Sequence, residues 1–198
     1  MSTTALPALT TRRPWVTPVQ ALSAAKLAVA CLLAATLVVP AAGGFHGQAL
    51  WLRFIVYAAG LAVLPALWWR RGGDYPLAAD AYLLVPFAFD AAGNSLGLYG
   101  RVDNFDNLAH LVGTFALCGF AGELLASRGD DLLVTVLAAA GVAAMLAIGI
   151  ELAEWCAFAH PAETGYGAYR DTVGDLAMDV AGAALGALLV SISGRLPR

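Results

Sequence analysis

Residues 132–158 read LLVTVLAAAGVAAMLAIGIELAEWCAF, and this stretch decides the fold class. Its first nineteen residues carry no charge at all. A helix needs about 20 apolar residues to cross the hydrocarbon core of a bilayer. A soluble domain places such a helix only at the centre of a large core. This chain has 198 residues, of which 60% are hydrophobic and 13% charged, with a mean hydropathy of +0.74. Soluble domains run near 45–50% apolar and about 25% charged. No fold of this length has an interior able to hide the excess, so lipid is the expected solvent.

Working outward, hydropathy marks five further segments of similar kind, at 19–39, 49–69, 77–98, 107–125 and 175–192. Pro40, Gly43, Gly44, Gly72, Gly73, Gly100, Gly129 and Pro161 punctuate the intervals, as turn-forming residues do. The expected architecture is all-α: a polytopic membrane bundle of about six transmembrane helices over 19–192. An N-terminal segment (1–18) and a C-terminal tail (193–198) flank it. The first apolar segment is too long for a signal-peptide core of about 7–15 residues, so it is expected to be a retained helix. Pro65 and Pro86 fall inside spans, where kinks are expected. Gly182 and Gly186 form a GxxxG step, and Gly113, Gly119, Gly122, Gly141 and Gly149 are further candidates for close helix contacts.

Arginines set the expected orientation. With both termini cytoplasmic, Arg12, Arg13, Arg70, Arg71, Arg128, Arg195 and Arg198 lie inside. Arg101 and Arg170 lie outside, and Arg53 stands at a helix start. The expected location is the cell (inner) membrane. The net charge of -3 and the lack of basic runs interleaved with aromatics exclude the pattern of a nucleic-acid-binding protein. Cys31, Cys118 and Cys156 stand singly in apolar segments, without a CxxC, and read as small buried hydrophobes. Trp155, Tyr166 and Tyr169 read as interfacial aromatics.

The acids are distributed unevenly. Asp74, Asp80, Glu123, Asp130 and Asp131 fall towards the cytoplasmic side, and Glu163 in an outer loop. The others gather at the outer ends of four helices. Asp90 and Asn94 lie in the third span; Asp103, Asp106 and His110 lead into the fourth; Glu151 and Glu154 close the fifth; Asp171, Asp175 and Asp179 open the sixth. At about 100° per residue, positions three or four apart share a helix face. Asp106 and His110 are so spaced, as are Glu151 and Glu154. The ladder of Asp171, Asp175 and Asp179 descends about 12 Å into the bundle. Asp103 joins the Asp106–His110 face if that helix starts early enough.

Two readings compete. Acids at helix starts serve as caps, where free N–H groups and the dipole favour them. Glu151 and Glu154 lie near a helix C-terminus, where the dipole opposes negative charge, and Asp179 lies a full turn beyond a cap. Intramembrane ionisable groups are costly and normally face a partner or an aqueous cavity. Asp106, His110, Glu151, Glu154, Asp171, Asp175 and Asp179 are therefore the candidate ligands of a divalent cation. Asp90, Asn94 and Asp103 stand behind them, and Arg101 and Arg170 read either as grips for an anionic head group or as interfacial anchors. Oxygen donors with one histidine suit Mg²⁺, Mn²⁺ or Ca²⁺, with Zn²⁺ and Fe²⁺ also compatible.

The ordered set Asp106-x-x-x-His110, Glu151-x-x-Glu154-Trp155 and Asp171-Thr172-x-x-Asp175 resembles the YjdF-type inner-membrane proteins over roughly residues 80–190. In that family a DTQ-type motif precedes the second acid, whereas here Val173 and Gly174 follow the threonine and Asp179 is an added acid. A fainter similarity is to VanZ-like membrane proteins, which also pair an Asp-x-x-x-His helix start with later acids. The resemblance implies a membrane fold and a candidate site, without a reaction. Three functions fit the residues. One is metal-dependent chemistry on a lipid or lipid-linked phosphate, although no known phosphatase or hydrolase signature is present. Others are transport of a divalent cation or protons, and a structural or regulatory role in the bilayer. A homo-oligomer is compatible with each.

Overall fold

The computed structural model describes residues 17–38, 50–126, 129, 131–158 and 166–194. Among these there are six long α-helices and no strand: α1 (Pro18–Val38), α2 (Leu50–Arg71), α3 (Leu77–Ser95), α4 (Phe105–Ala126), α5 (Leu132–Phe158) and α6 (Tyr166–Ser193). A 3-10 turn, Leu98–Gly100, links α3 to α4. Pro40, Gly43, Gly44, Asp130, Pro161, Glu163, residues 1–16 and the tail 195–198 lie outside the described residues, and with them Arg12, Arg13, Arg128, Arg195 and Arg198.

Local chemistry fixes the helix ends. Thr17 and Gln20 form a reciprocal cap at the start of α1: the Gln20 amide N–H donates to Thr17 Oγ1 at 3.2 Å, and the Thr17 N–H donates to Gln20 Oε1 at 2.9 Å. Pro18 fills the first helical position, where its missing N–H costs nothing. Asp131 caps α5 by accepting the Leu133 N–H at 2.8 Å. α2 ends on Arg70 and Arg71, whose charges suit the C-terminal dipole. Gly72 then turns the chain at φ +67°.

α4 is the centre of the bundle and packs against α3, α5 and α6. α5 and α6 also pack together, while α1 and α2 join the bundle through α3. The α4–α6 contact is the closest, because Gly182 lies directly over the Leu111 carbonyl and Gly186 over Phe115 and Cys118. Gly113, Gly119 and Gly122 likewise face Pro86, Tyr82 and Val190. Gly141 and Gly149 differ from expectation, since a side chain at either would meet nothing within 4 Å. They sit on an open face of α5.

Among the described residues, three helices are long and apolar enough to cross a membrane by length and composition: Phe105–Ala126, Leu132–Cys156 and Tyr169–Ser193. The described apolar part of α1, Pro18–Ala34, is shorter. α3 is more polar than an isolated span because it carries Asp80 and Asp90, and α2 carries Arg53 within its apolar stretch. These charges are paired inside the bundle. Lys26 of α1 donates to Asp80 Oδ1 of α3 at 2.5 Å and to the Leu61 carbonyl of α2 at 3.0 Å. Arg53 of α2 donates to Asp90 of α3 at 2.5 Å. The polar residues that weaken the hydropathy signal thus tie α1 and α2 to α3.

The sixth helix starts well before the expected residue 175. Asp171 and Asp175 therefore lie within α6 rather than at its start, and neither caps it. Asp106 occupies the first turn of α4. Asp103 does not join that helix, because Asn104 adopts a left-handed backbone at φ 59° that separates it from Phe105. Of the cysteines, Cys118 is buried as expected, whereas Cys31 and Cys156 are exposed on outward faces of α1 and α5. Both are positions that lipid would cover. Trp155 and Tyr169 are exposed, as interfacial aromatics are, and the Tyr166 side chain lies outside the described residues.

Candidate metal and lipid site

One end of the bundle gathers the starts of α4 and α6 and the ends of α3 and α5. His110 is buried at its centre. Across the α4–α6 contact, His110 Nδ1 lies 3.3 Å and 3.4 Å from the two carboxylate oxygens of Asp179. A carboxylate can only accept, so the imidazole donates through Nδ1–H in this pairing. Thr114, one turn further along α4, donates its hydroxyl to Asp179 Oδ1 at 2.5 Å. Asp179 is therefore held from two sides and fixes the ring.

The opposite ring nitrogen faces the other acids. His110 Nε2 is 3.7 Å from Glu154 Oε2 and 4.0 Å from Asp175 Oδ1. Ligand atoms of Asp106, His110 and Asp175 lie mutually within 4.8 Å, as do those of His110, Glu151 and Glu154. Tetrahedral bonds of about 2.0–2.2 Å set neighbouring ligand atoms about 3.3–3.6 Å apart, so these groups would draw in slightly to hold a shared cation. Asp175 is 3% exposed and Glu151 9%. Among the described residues, their oxygens Asp175 Oδ1 and Glu151 Oε2 are buried without a hydrogen-bond partner. Unpartnered buried carboxylate oxygens are costly.

The remaining sequence candidates fall into two groups. Asp90 and Asn94 belong to a neighbouring network: Asn94 Nδ2 donates to Asp90 Oδ1 at 2.8 Å and Tyr99 donates its hydroxyl to the same oxygen at 2.6 Å. The stacked Phe89–Phe105 pair, with Tyr99 edge-on to Phe105, pins this corner. Burial and the Asp90 and Asp106 carboxylates push the Tyr99 phenol well above its ordinary pKa. Asp103, Asp171, Arg101 and Arg170, by contrast, are exposed at the rim. Asp171 keeps its place in the ladder but points outside the buried cluster, and the two arginines do not line the cavity described next.

A cavity of about 210 Å³ opens beside His110. Its polar end is made by Arg53, Asp90, Tyr99, Asp106, His110 and Glu154, and its apolar wall by residues such as Val56, Phe87, Leu117 and Ile150.

Residues 25–195 match the family model described as "Predicted membrane protein (DUF2238)". The chain belongs to that family. It is the family to which the YjdF-type resemblance pointed, and the match takes in α2 to α6 and most of α1. Neither a curated protein nor a solved structure matches the chain. For this DUF2238 member the site is therefore defined by its own geometry.

Sequence reasoning missed Arg53, Thr114, Tyr99 and Lys26 as members of polar networks. Thr114 follows His110 by four residues and shares its helix face, which is a legible signal. Arg53 and Lys26 stand out as cations in apolar stretches; Arg53 entered above only for orientation, and Lys26 not at all.

Proposed function

We propose that the acidic end of this bundle is a divalent-cation site that supports chemistry on a lipid or lipid-linked phosphate at the extracytoplasmic face of the cell membrane. One observation carries the reading: the buried oxygens of Asp175 and Glu151 have no hydrogen-bond partner among the described residues, and they lie around an imidazole already oriented by Asp179. A carboxylate–histidine pair of this kind is the usual support for a metal-bound ring nitrogen. Asp106, His110, Glu151, Glu154 and Asp175 are the ligand candidates, and Asp179 acts through His110. A nitrogen donor among carboxylates favours Mn²⁺, Zn²⁺ or Fe²⁺ over Ca²⁺. Such an ion polarises a phosphoryl oxygen and acidifies bound water. The apolar wall of the adjoining cavity supports a lipid as the substrate class, and the arginine distribution supports the outer placement.

The test is metal analysis of the full chain purified in a non-ionic detergent and exposed to Mn²⁺. Stoichiometric metal in the wild type, lost in Asp106→Asn/His110→Ala and in Glu154→Gln, is the expected result. Equal metal in all three, or none in the wild type, overturns the site. Mn²⁺ flux into liposomes, set against metal-dependent phosphate release from a lipid phosphate, then separates transport from chemistry. On α4 the polar cluster gives way beyond Thr114 to buried Ala116, Leu117, Cys118 and Gly119, which favours chemistry.

A further inference from the structure

The cavity beside His110 carries a permanent cation that the metal-site reading does not use. Arg53 reaches it from α2 and donates through Nη1 to Asp90 Oδ2 at 2.5 Å. Asp90 is anchored independently of Arg53, because its other oxygen accepts from Tyr99 and Asn94. The carboxylate would therefore stay in place if the longer guanidinium side chain swung away.

Charge decides what this end of the cavity can receive. Asp90, Asp106, Glu154 and Asp179 face it against Arg53 and His110, so acids outnumber bases. An anion is repelled by that balance until a divalent cation is added. With the cation present, a phosphate can bridge the ion and a planar guanidinium, the geometry for which arginine is suited.

The apolar wall decides what the anion is attached to. Val56, Tyr57, Pro86, Phe87, Leu117 and Ile150 continue the cavity away from its polar end. α2 and α5 both line it, yet among the described residues they share no packed face. Val56 and Ile150, which flank that gap, are 48% and 43% exposed. The opening thus faces sideways, towards acyl chains.

We propose that a lipid phosphate enters this cavity laterally between α2 and α5, that Arg53 exchanges Asp90 for its phosphate, and that the cation must bind first. The proposal rests on the cation site proposed above and adds the ligand class, the recognition residue and the order of binding.

The probe is dodecyl phosphate, followed by ³¹P NMR with the full-length protein in non-ionic micelles containing Mn²⁺. Paramagnetic broadening that saturates, exceeds that of protein-free micelles and disappears with EDTA is expected. Arg53→Gln/Asp90→Asn removes the guanidinium without stranding a buried carboxylate. It should keep its Mn²⁺ and its thermal midpoint but bind dodecyl phosphate about tenfold or more weakly, since a charged hydrogen bond is lost. Unchanged affinity in that variant, binding indifferent to EDTA, or inorganic phosphate competing as well as dodecyl phosphate each overturns the proposal. Metal content on the same samples separates the two levels. Wild type without bound Mn²⁺ overturns the cation site and this proposal together, whereas Mn²⁺ retained alongside any of those results overturns this proposal alone. Arg53→Lys keeps the charge without the planar fork: binding between that of wild type and of Arg53→Gln/Asp90→Asn is expected, and binding as weak as in the double variant would overturn recognition by charge at this position.

Discussion

The imidazole of His110 and the carboxylate of Asp179 meet across the tightest helix contact in the protein, with Nδ1 and Oδ1 3.3 Å apart. The approach is set by Gly182, one turn beyond Asp179, whose lack of a side chain lets α6 lie on the Leu111 carbonyl. Packing and site geometry are therefore one feature. A change that separates α4 from α6 also separates Asp179 from His110, and with it the support for the ring nitrogen that faces Glu154 and Asp175.

Asp179→Asn keeps the shape of that contact but makes the partner of Nδ1 neutral. Metal binding should weaken by about 10–100-fold, the usual effect of losing an outer-shell carboxylate behind a ligating histidine. Thr114→Val, which removes the hydroxyl from Asp179, should move affinity in the same direction by less. Titration calorimetry with Mn²⁺ on both variants checks the order. An Asp179→Asn protein with wild-type affinity would place Asp179 outside the metal's support.

Gly182→Ala tests the packing half of the same relationship. The new methyl group would meet the backbone of Leu111 and the amide nitrogen of Phe115, neither of which can rotate away. Overpacking of this kind costs about 1–3 kcal/mol. The thermal midpoint should fall, and metal affinity with it. Gly141→Ala is the matched control on α5, where nothing lies within 4 Å of the added group, and it should leave both unchanged.

How much of this was legible in the sequence follows from what each signal measures. The apolar run of α5 reports burial in lipid, and its bounds, Leu132–Phe158, match the expected span. Helix spacing placed His110 with Asp106, and Glu151 with Glu154, because a period of 3.6 residues relates positions within one helix. Spacing says nothing about which residue of another helix stands opposite. Asp171 and Asp179 both stood among the candidate ligands, Asp179 already set apart as too far along for a cap, and the approach of α6 to α4 buries Asp179 and leaves Asp171 exposed. Asp103 was one backbone torsion from the cluster: the left-handed Asn104 turned it out. Arg53 was read for orientation because a lone arginine at a helix start counts towards charge bias. Its pairing with Asp90 depends on α2 leaning against α3, a relation between helices that hydropathy does not encode.

Tyr99 offers a reading by pH at the mouth of the cavity. Its phenol is partly buried and donates to Asp90, with Asp106 also near, and both carboxylates disfavour a phenolate. Its pKa in the folded protein is raised above the ordinary value of 10.0. A group raised on folding lends stability that is fully present below its unfolded pKa and is lost as pH climbs through the folded one. Alkaline ultraviolet titration of wild type minus Tyr99→Phe should therefore show no phenolate from this residue at pH 10, and ionisation should coincide with unfolding. A difference spectrum that titrates near 10 while the protein stays folded would contradict the Tyr99–Asp90 contact.

The second polar contact of the bundle, at the far end of α3, predicts a different outcome from the site. Asp80 is 2% exposed and takes its two partners from Lys26 and Tyr75, the latter donating its hydroxyl to Oδ2 at 2.5 Å. Burial and this contact push the Tyr75 phenol above its ordinary range. Lys26→Met would leave the aspartate with a hydroxyl alone in a place that water does not reach. Breaking a buried pair from one side costs about 3–5 kcal/mol, because the surviving charge is uncompensated. Removing both charges costs far less and can even stabilise. Lys26→Met should thus lower the thermal midpoint strongly, and Lys26→Met/Asp80→Asn should recover most of the loss. Neither should alter Mn²⁺ stoichiometry, since His110 and its acids lie at the opposite end of the bundle. If the double variant is as unstable as the single one, the pair is not what joins α1 to α3. If either variant loses metal while still folded, the two ends are coupled through α3, and Asp80 belongs with the site rather than with the scaffold.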